Sequence, residues 1–284
     1  MNFLNILQEI EKADPEVFEK LDTRRSALKS FTNVSGKIAL ASLPFALGSM
    51  FKKAYAGGPS GTTVLDVFNF ALTLEYLEAA FYKNGIAAGA MLIPNANDRA
   101  AINIIGTHEA EHVAYLKAAI TAAGGTPVAS PTFDFTAGGG KGNGPFQDIF
   151  TNYETFLAVA QAFEDTGVRA YKGQAPNLVQ GGAYLTAALN IHSVEARHAS
   201  KVRQMRKANG FSSTVKPWIT LADTGGIGAA VQANYAGEDN TVQANIQIVN
   251  INGFKISADA ASEAFDEPLT MAQVVALVTP FFAA

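Results

Sequence analysis

Cysteine is absent from the 284 residues of this chain. Its absence excludes disulfide bonds, a thiol nucleophile, and zinc or iron–sulfur sites held by thiolates. Any metal ion must therefore be held by oxygen atoms and imidazole nitrogens. Histidine is scarce too, and all four histidines lie in two segments, "GTHEAEHVAYL" and "IHSVEARHAS".

Positive charge is also limited. The chain has 21 Lys and Arg against 25 Asp and Glu, a net charge of −4, and its basic residues form only short runs. A nucleic-acid surface needs clustered Lys and Arg to neutralise phosphates, so we expect no nucleic-acid partner. The hydrophobic content of 48% is ample for a substantial core.

The chain has one short apolar run near its start, at residues 38–51, which is too short to span a membrane comfortably. Two arginines precede it in "TRRSALK", and the small residues of "AYA" follow. This order resembles a twin-arginine export signal, which we assign to residues 1–56. The alternative is an amphipathic helix followed by a short hydrophobic one. We expect the export machinery as a partner and a periplasmic or extracellular location, and an uncut signal would anchor the protein to a membrane.

Four later segments have apolar residues at helical spacing, and each apolar stripe is interrupted by charge near its middle. An ionised carboxylate on a core-facing stripe is costly unless it is paired or binds a cation. The pattern therefore predicts four helices with one buried polar cluster. We expect the first helix to end near Gly85, and the second to be capped by Asn97 and stopped by Gly124 and Gly125.

The connections predict how the helices are arranged. The first and third, residues 86–96 and 174–178, suit antiparallel neighbours, whereas the second, from Gly124 to about Gln147, is too long and too rich in Gly and Pro for a hairpin. In residues 211–284, "TVQANIQIVN" predicts a short strand, and the stretch from Thr270 to Phe282 predicts a capped helix. We interpret this region as an extension packed on the bundle.

The charged positions repeat between the two halves of the chain. Glu75 and Glu164 are each followed seven residues later by a tyrosine and then a lysine. A Glu-x-x-His motif comes next in each half, Glu109 with His112 and Glu195 with His198. We infer an internal duplication of a helix pair.

Residues three apart on a helix can reach the same ion or adjacent ions. Two Glu-x-x-His motifs and two further glutamates supply four carboxylates and two imidazoles, which balance two divalent ions. Oxygen-rich sites with imidazole suit iron or manganese, with zinc as an alternative. The candidate metal ligands are Glu75, Glu109, His112, Glu164, Glu195 and His198.

Several neighbouring residues have two interpretations. Glu78 is the alternative to Glu75, because its spacing to Glu109 matches the second half, but the tyrosine and lysine pattern favours Glu75. Tyr82, Tyr171 and His192 are candidates for hydrogen bonds to the ligands. The alternatives are ordinary core tyrosines and a surface histidine. We assign no role to His108 and no catalytic residue beyond the ligands.

These six positions resemble the ligands of ferritin-like di-iron and di-manganese carboxylate proteins, which use one Glu from each of two helices and Glu-x-x-His from the other two. The stretches "LEYLEAAFY", "AFEDTGVRAYKG", "VKPWIT" and "EAFDEPLT" resemble the exported ferritin-like domain family that includes plant desiccation-related proteins. The resemblance implies an all-α, ferritin-like four-helix bundle with one long crossover at residues 57–210 and a C-terminal extension at 211–284.

The resemblance also implies a redox metalloprotein with two iron or manganese ions that acts on oxygen, peroxide or ferrous iron. Such a di-metal oxidoreductase would be ferroxidase-like or peroxide-dismutating, and membership of the superfamily does not choose between them. The alternative is a non-catalytic structural or stress-protective protein whose metal site is structural or empty. A small-molecule oxidant or ferrous iron is the expected partner, and a homo-oligomer is left open.

Overall fold

The computed structural model describes residues 62–283, so the predicted signal at 1–56 lies outside the described residues. This part contains four long helices: α1 Val64–Leu92, α2 Ala96–Ala122, α3 Tyr153–Gln174 and α4 Ala183–Ala208. Two short ones follow, α5 Ala258–Ser262 and α6 Met271–Val278. Within residues 62–283, no helix combines the length and apolar character needed to cross a membrane.

Helix α1 begins at a capping box and runs further than the sequence predicts. The Thr63 hydroxyl accepts a hydrogen bond from the Asp66 amide, and the Asp66 carboxylate accepts one from the Thr63 amide. The predicted end near Gly85 is wrong, because the helix continues to Leu92 with one non-helical residue, Gly89. A Cβ at Gly85 would lie 2.4 Å from the Phe156 ring, so this glycine permits close packing and does not stop the helix.

Asparagines cap the next two long helices. The cap of α2 is Asn95 rather than the predicted Asn97, and its Oδ1 accepts from the amide of Asn97 at 2.8 Å. In α3, Asn152 Oδ1 accepts from the Glu154 amide at 3.0 Å. Helix α2 ends just before Gly124 and Gly125, as predicted.

The connections confirm an all-α bundle with one long crossover. Residues 93–95 join α1 to α2, and a 3₁₀ segment, Ala175–Gly181, leads from α3 towards α4. Such short connections favour antiparallel neighbours, and α1 packs against α2 as α3 packs against α4. Residues 123–152 contain no helix and form the long connection between the two pairs.

The bundle core consists of two apolar clusters separated along the helices by polar side chains. One contains Phe81, Phe156 and Val202, and the other contains Leu72, Leu116 and Ile191. On each long helix, the charged positions identified in the sequence fall between residues of the two clusters. The centre of the bundle is therefore a polar layer with apolar packing above and below it.

The C-terminal extension differs in part from its prediction. The single strand predicted near residue 242 is wrong: Val242–Gln243 and Ile246–Gln247 form a two-stranded antiparallel hairpin instead. Ala244 and Asn245 between them both have positive φ, 48° and 65°, which is the geometry of a two-residue hairpin turn. The predicted capped helix is present as α6, with Thr270 as its N-cap.

A buried ion pair and several hydrogen bonds join the extension to α3. Arg169 Nε lies 2.7 Å from Glu238 Oε1, and the same guanidinium donates to the carbonyl oxygens of Ala236 and Glu267. Asp165 accepts a hydrogen bond from Arg203 Nε at 3.0 Å and one from the Tyr235 hydroxyl at 2.8 Å. The extension thus contacts the bundle through buried charge as well as apolar packing, while the domain limits drawn from the sequence stay a prediction.

Candidate metal centre

The polar layer brings together all six candidate ligands. The four glutamates have no exposed surface, and His112 and His198 are 9% and 4% exposed. Their ligand atoms form two groups, within each of which every atom lies within 4.8 Å of the others. The first group is Glu75, Glu109, His112 and Glu195, and the second is Glu109, Glu164, Glu195 and His198. Glu109 and Glu195 belong to both groups, as bridging carboxylates would.

Distances within the two groups are short. His112 Nδ1 lies 3.1 Å from Glu75 Oε2, 3.1 Å from Glu195 Oε1 and 3.3 Å from Glu109 Oε2. In the second group, His198 Nδ1 lies 2.8 Å from Glu109 Oε1. Each imidazole therefore directs Nδ1 at the carboxylates of its own group.

Many of these atoms have no hydrogen-bond partner among the described residues, although they lie close together. They are both carboxylate oxygens of Glu109 and of Glu195, Oε2 of Glu164, and Nδ1 of His198. Buried polar atoms without partners are costly. Oxygen and nitrogen ligands lie about 2.0–2.2 Å from small divalent ions, which places neighbouring ligands of an octahedral ion about 3 Å apart. The unsatisfied atoms and their spacing thus fit a pair of cations.

The electrostatics also favour cations. Burial, followed by the negative charge of Glu75, raises the pKa of Glu195 to about 8. Burial and then Glu195 raise the pKa of Glu109 well above its ordinary value. Burial alone would lower the pKa of His112, but the adjacent carboxylates of Glu109, Glu195 and Glu75 outweigh it and raise the pKa to about 12. Without metal, the carboxylates therefore retain protons or pair with imidazolium, and divalent ions could replace those protons.

Two tyrosines connect the halves of the centre. The Tyr82 hydroxyl on α1 donates to Oε1 of Glu164 on α3, and the Tyr171 hydroxyl on α3 donates to Oε1 of Glu75 on α1. Burial, and then the charge of the accepting glutamate, raise the pKa of each phenol well above its ordinary value. Both hydroxyls therefore stay protonated as donors.

Glu75 and Glu78 differ in their relation to the two ligand groups. Glu75 is part of the first ligand group, whereas Glu78 is also buried but lies in neither group. A Cβ on Gly167 of α3 would lie 3.3 Å from Glu195 Oε2 and 3.4 Å from Glu78 Oε1. Glycine at this position thus makes room for both carboxylates, and Glu78 is a close neighbour of the candidate ligands.

The two remaining histidines occupy different environments. His192 makes no hydrogen bond to any of the six side chains within residues 62–283, and the charges that act on it are those of Asp266 and Lys172. His108 instead stacks on His198, with its Nδ1 2.9 Å from His198 Nε2. This contact of His108 was not predicted from the sequence, although the four-residue spacing from His108 to His112 places both on one side of α2.

A helical bundle with paired carboxylate and imidazole groups at its centre defines a ferritin-like protein with a candidate dinuclear site. The family model described as a ferritin-like domain matches residues 63–208, which include all six candidate ligands. The chain therefore belongs to the ferritin-like domain family. No curated protein and no solved structure matches the chain. Export and a relationship to desiccation-related proteins stay predictions from the sequence.

Proposed function

We propose that this protein is an exported redox metalloprotein that binds two iron or manganese ions and acts on oxygen, peroxide or ferrous iron. The observation that carries the proposal is the pair of four-residue groups that share Glu109 and Glu195, with unpartnered oxygen atoms on both. When bound, two redox-active ions would supply electron transfer to or from a small oxidant.

The residues of the chain have distinct parts in this proposal. Glu75 and His112 would hold one ion, Glu164 and His198 the other, and the two shared glutamates both ions. Apolar clusters on either side limit water around the centre. The Tyr82 hydroxyl donates a hydrogen bond to Glu164 and thereby fixes the orientation of that carboxylate.

Metal content tests the proposal. Natively exported protein should contain about two ions per chain, identified by elemental analysis and by anomalous scattering at the iron and manganese edges. Glu109→Ala or Glu195→Ala should lower that content, because each removes a ligand shared by both groups. Glu111→Ala is the matched control, since Glu111 is exposed on the same helix. Full metal content in both shared-ligand variants would refute the proposal.

The second candidate is a structural or stress-protective protein whose metal does not turn over. The Tyr82–Glu164 and Tyr171–Glu75 hydrogen bonds favour it, because they already tie the two helix pairs together at the centre. Peroxide added to iron-loaded and manganese-loaded protein discriminates between the candidates. Oxygen evolution or a spectral change supports redox function, and inert behaviour of both forms supports the structural role.

Export needs its own test. We propose that the twin-arginine machinery exports the chain to the periplasm or the outside of the cell through Arg24 and Arg25. Replacing both with lysine should leave the protein in the cytoplasm of an expressing bacterium, as shown by fractionation. Normal export of the double variant would contradict this route.

A further inference from the structure

A cavity of about 290 Å³ lies between α1, α3 and the segments that cover them. Its walls are largely apolar and include Leu74 and Leu77 from α1, Phe163 from α3, and Phe281 beyond α6. The rings of Phe163 and Phe281 meet edge to face with their centres 4.8 Å apart. Apolar and aromatic walls of this kind favour an apolar, ring-containing occupant.

One end of the cavity reaches the candidate metal centre. Glu78 and Gly167 line this end, and Gly167 is the glycine that makes room for Glu195. Glu78 is 4% exposed and has no hydrogen bond or ion pair with any residue between 62 and 283. A buried carboxyl group without a partner is costly, so its presence at the end of an apolar cavity indicates a ligand with a polar group.

The other end of the cavity opens to solvent between small residues. Pro145 comes from the long connection, Ala230 and Ala233 from the C-terminal extension, and Ala276 from α6, and all four are exposed. The extension therefore forms the mouth of the cavity, and the bundle forms its inner end.

We propose that this cavity binds a small organic molecule of about one aromatic ring, whose hydroxyl group donates a hydrogen bond to Glu78. The carboxyl group has an acceptor oxygen in either protonation state, and the apolar walls bury the ring. The volume lies just below the range of pockets for drug-sized ligands, so the cavity suits a small occupant, and a molecule of one aromatic ring fits within it. That the bound molecule is a substrate rests on the proposed redox function, whereas its binding does not.

Phenol is a suitable probe, and benzene is its counterpart without the hydroxyl group. Calorimetric or NMR titration of the full chain should show saturable binding of one phenol, both after chelation of metal and after metal loading. Benzene should bind about tenfold more weakly. Glu78→Leu should lower the affinity for phenol to that for benzene. Glu78→Gln keeps an acceptor oxygen and should retain most of the difference in affinity between phenol and benzene.

A variant at the mouth of the cavity tests whether phenol binds inside it. Ala276→Trp should block the opening and weaken phenol binding at least tenfold, because Ala276 is exposed and lines the mouth. Ala260→Trp is the control, since Ala260 is equally exposed on α5 and does not line the cavity. Thermal unfolding shows that each variant is folded.

Three results would overturn the inference: no saturable phenol binding by the folded protein, equal binding of phenol and benzene, or unchanged binding in Ala276→Trp. Because the titration is also done without metal, it can fail while the protein still binds two ions. Conversely, phenol binding by a protein that takes up no metal would uphold the pocket and refute the proposed redox function.

Discussion

Tyr82 donates its hydroxyl hydrogen to Glu164, a residue of the other half of the internal repeat. Tyr171 donates to Glu75 in the same way, so each half supplies the hydrogen-bond donor for the glutamate of the other. Within each helix the tyrosine follows its own glutamate by seven residues, but the hydrogen bonds join different helices. The exchange makes the orientation of both candidate ligands depend on assembly of the whole bundle.

Tyr82→Phe should therefore weaken metal binding about 10- to 100-fold, the usual effect of losing a hydrogen bond to a ligand. Tyr171→Phe should have a similar effect, measured for both by competition with a chelator of known affinity. Tyr76→Phe is the control, because the Tyr76 hydroxyl donates to the carbonyl oxygen of Val128 and not to a ligand. Unchanged affinity in both test variants would show that these hydrogen bonds do not support the ligands.

His108→Ala should weaken the binding of one of the two ions and leave the binding of the other unchanged. His108 contacts His198, which belongs to the second ligand group only. Under limiting metal, the bound content should fall from two ions towards one, while the first ion keeps its affinity. His192→Ala should retain both ions, and equal loss of both from His108→Ala would contradict the assignment.

The metal-free protein should become less stable as the pH rises from 7 to 9. In the folded protein, the pKa values of Glu195, Glu109, His112 and His198 are all raised above their ordinary values. The unfolded chain has largely released these protons by pH 7, whereas Glu195 and His112, with folded pKa values of about 8 and about 12, still hold theirs. Stability therefore falls as pH rises through the folded pKa values, by about 1.4 kcal/mol per pH unit for each proton concerned.

Urea unfolding at pH 7, 8 and 9 measures this dependence. His108 and His192 add little in this range, because burial lowers their pKa values and both are largely neutral in the folded and unfolded states. Metal-loaded protein should show little pH dependence over the same range, since bound cations replace the protons in the folded state and the unfolded chain has already released them. A metal-free protein that is equally stable or more stable at pH 9 would contradict the electrostatics of the centre.

Arg169→Leu should destabilise the fold by about 3–5 kcal/mol, because it leaves Glu238 buried without its partner. Arg169→Leu/Glu238→Leu should recover part of that loss, since no charge is then left unpaired, although the carbonyl oxygens of Ala236 and Glu267 still lack their donor. The free energy of unfolding in denaturant gives both values, and Glu238→Leu completes the double-mutant cycle. Additive effects of the two substitutions would show that the pair is not energetically coupled.

The limits of sequence-based prediction appear at particular residues. Glu75 and Glu78 are one helical turn apart, and both become buried. Spacing to the Glu-x-x-His motif favoured Glu78, and only the repeated tyrosine and lysine favoured Glu75. The position of each carboxylate depends on how α1 packs against α3 and on the room made by Gly167. His108 and His192 posed the same difficulty: each lies near a candidate ligand in sequence, but only His108 reaches one.

Helical periodicity by itself determined the four long helices and the charged positions within their apolar stripes, and the length and the Gly and Pro content of the second connection determined the long crossover. These features are local, since a buried charge at helical spacing can be recognised without knowing its partners. The tertiary structure alone decided which tyrosine supports which glutamate, where α1 ends, and where the cavity beside Glu78 lies. Those features depend on contacts between segments far apart in the chain, which form only when the helices pack.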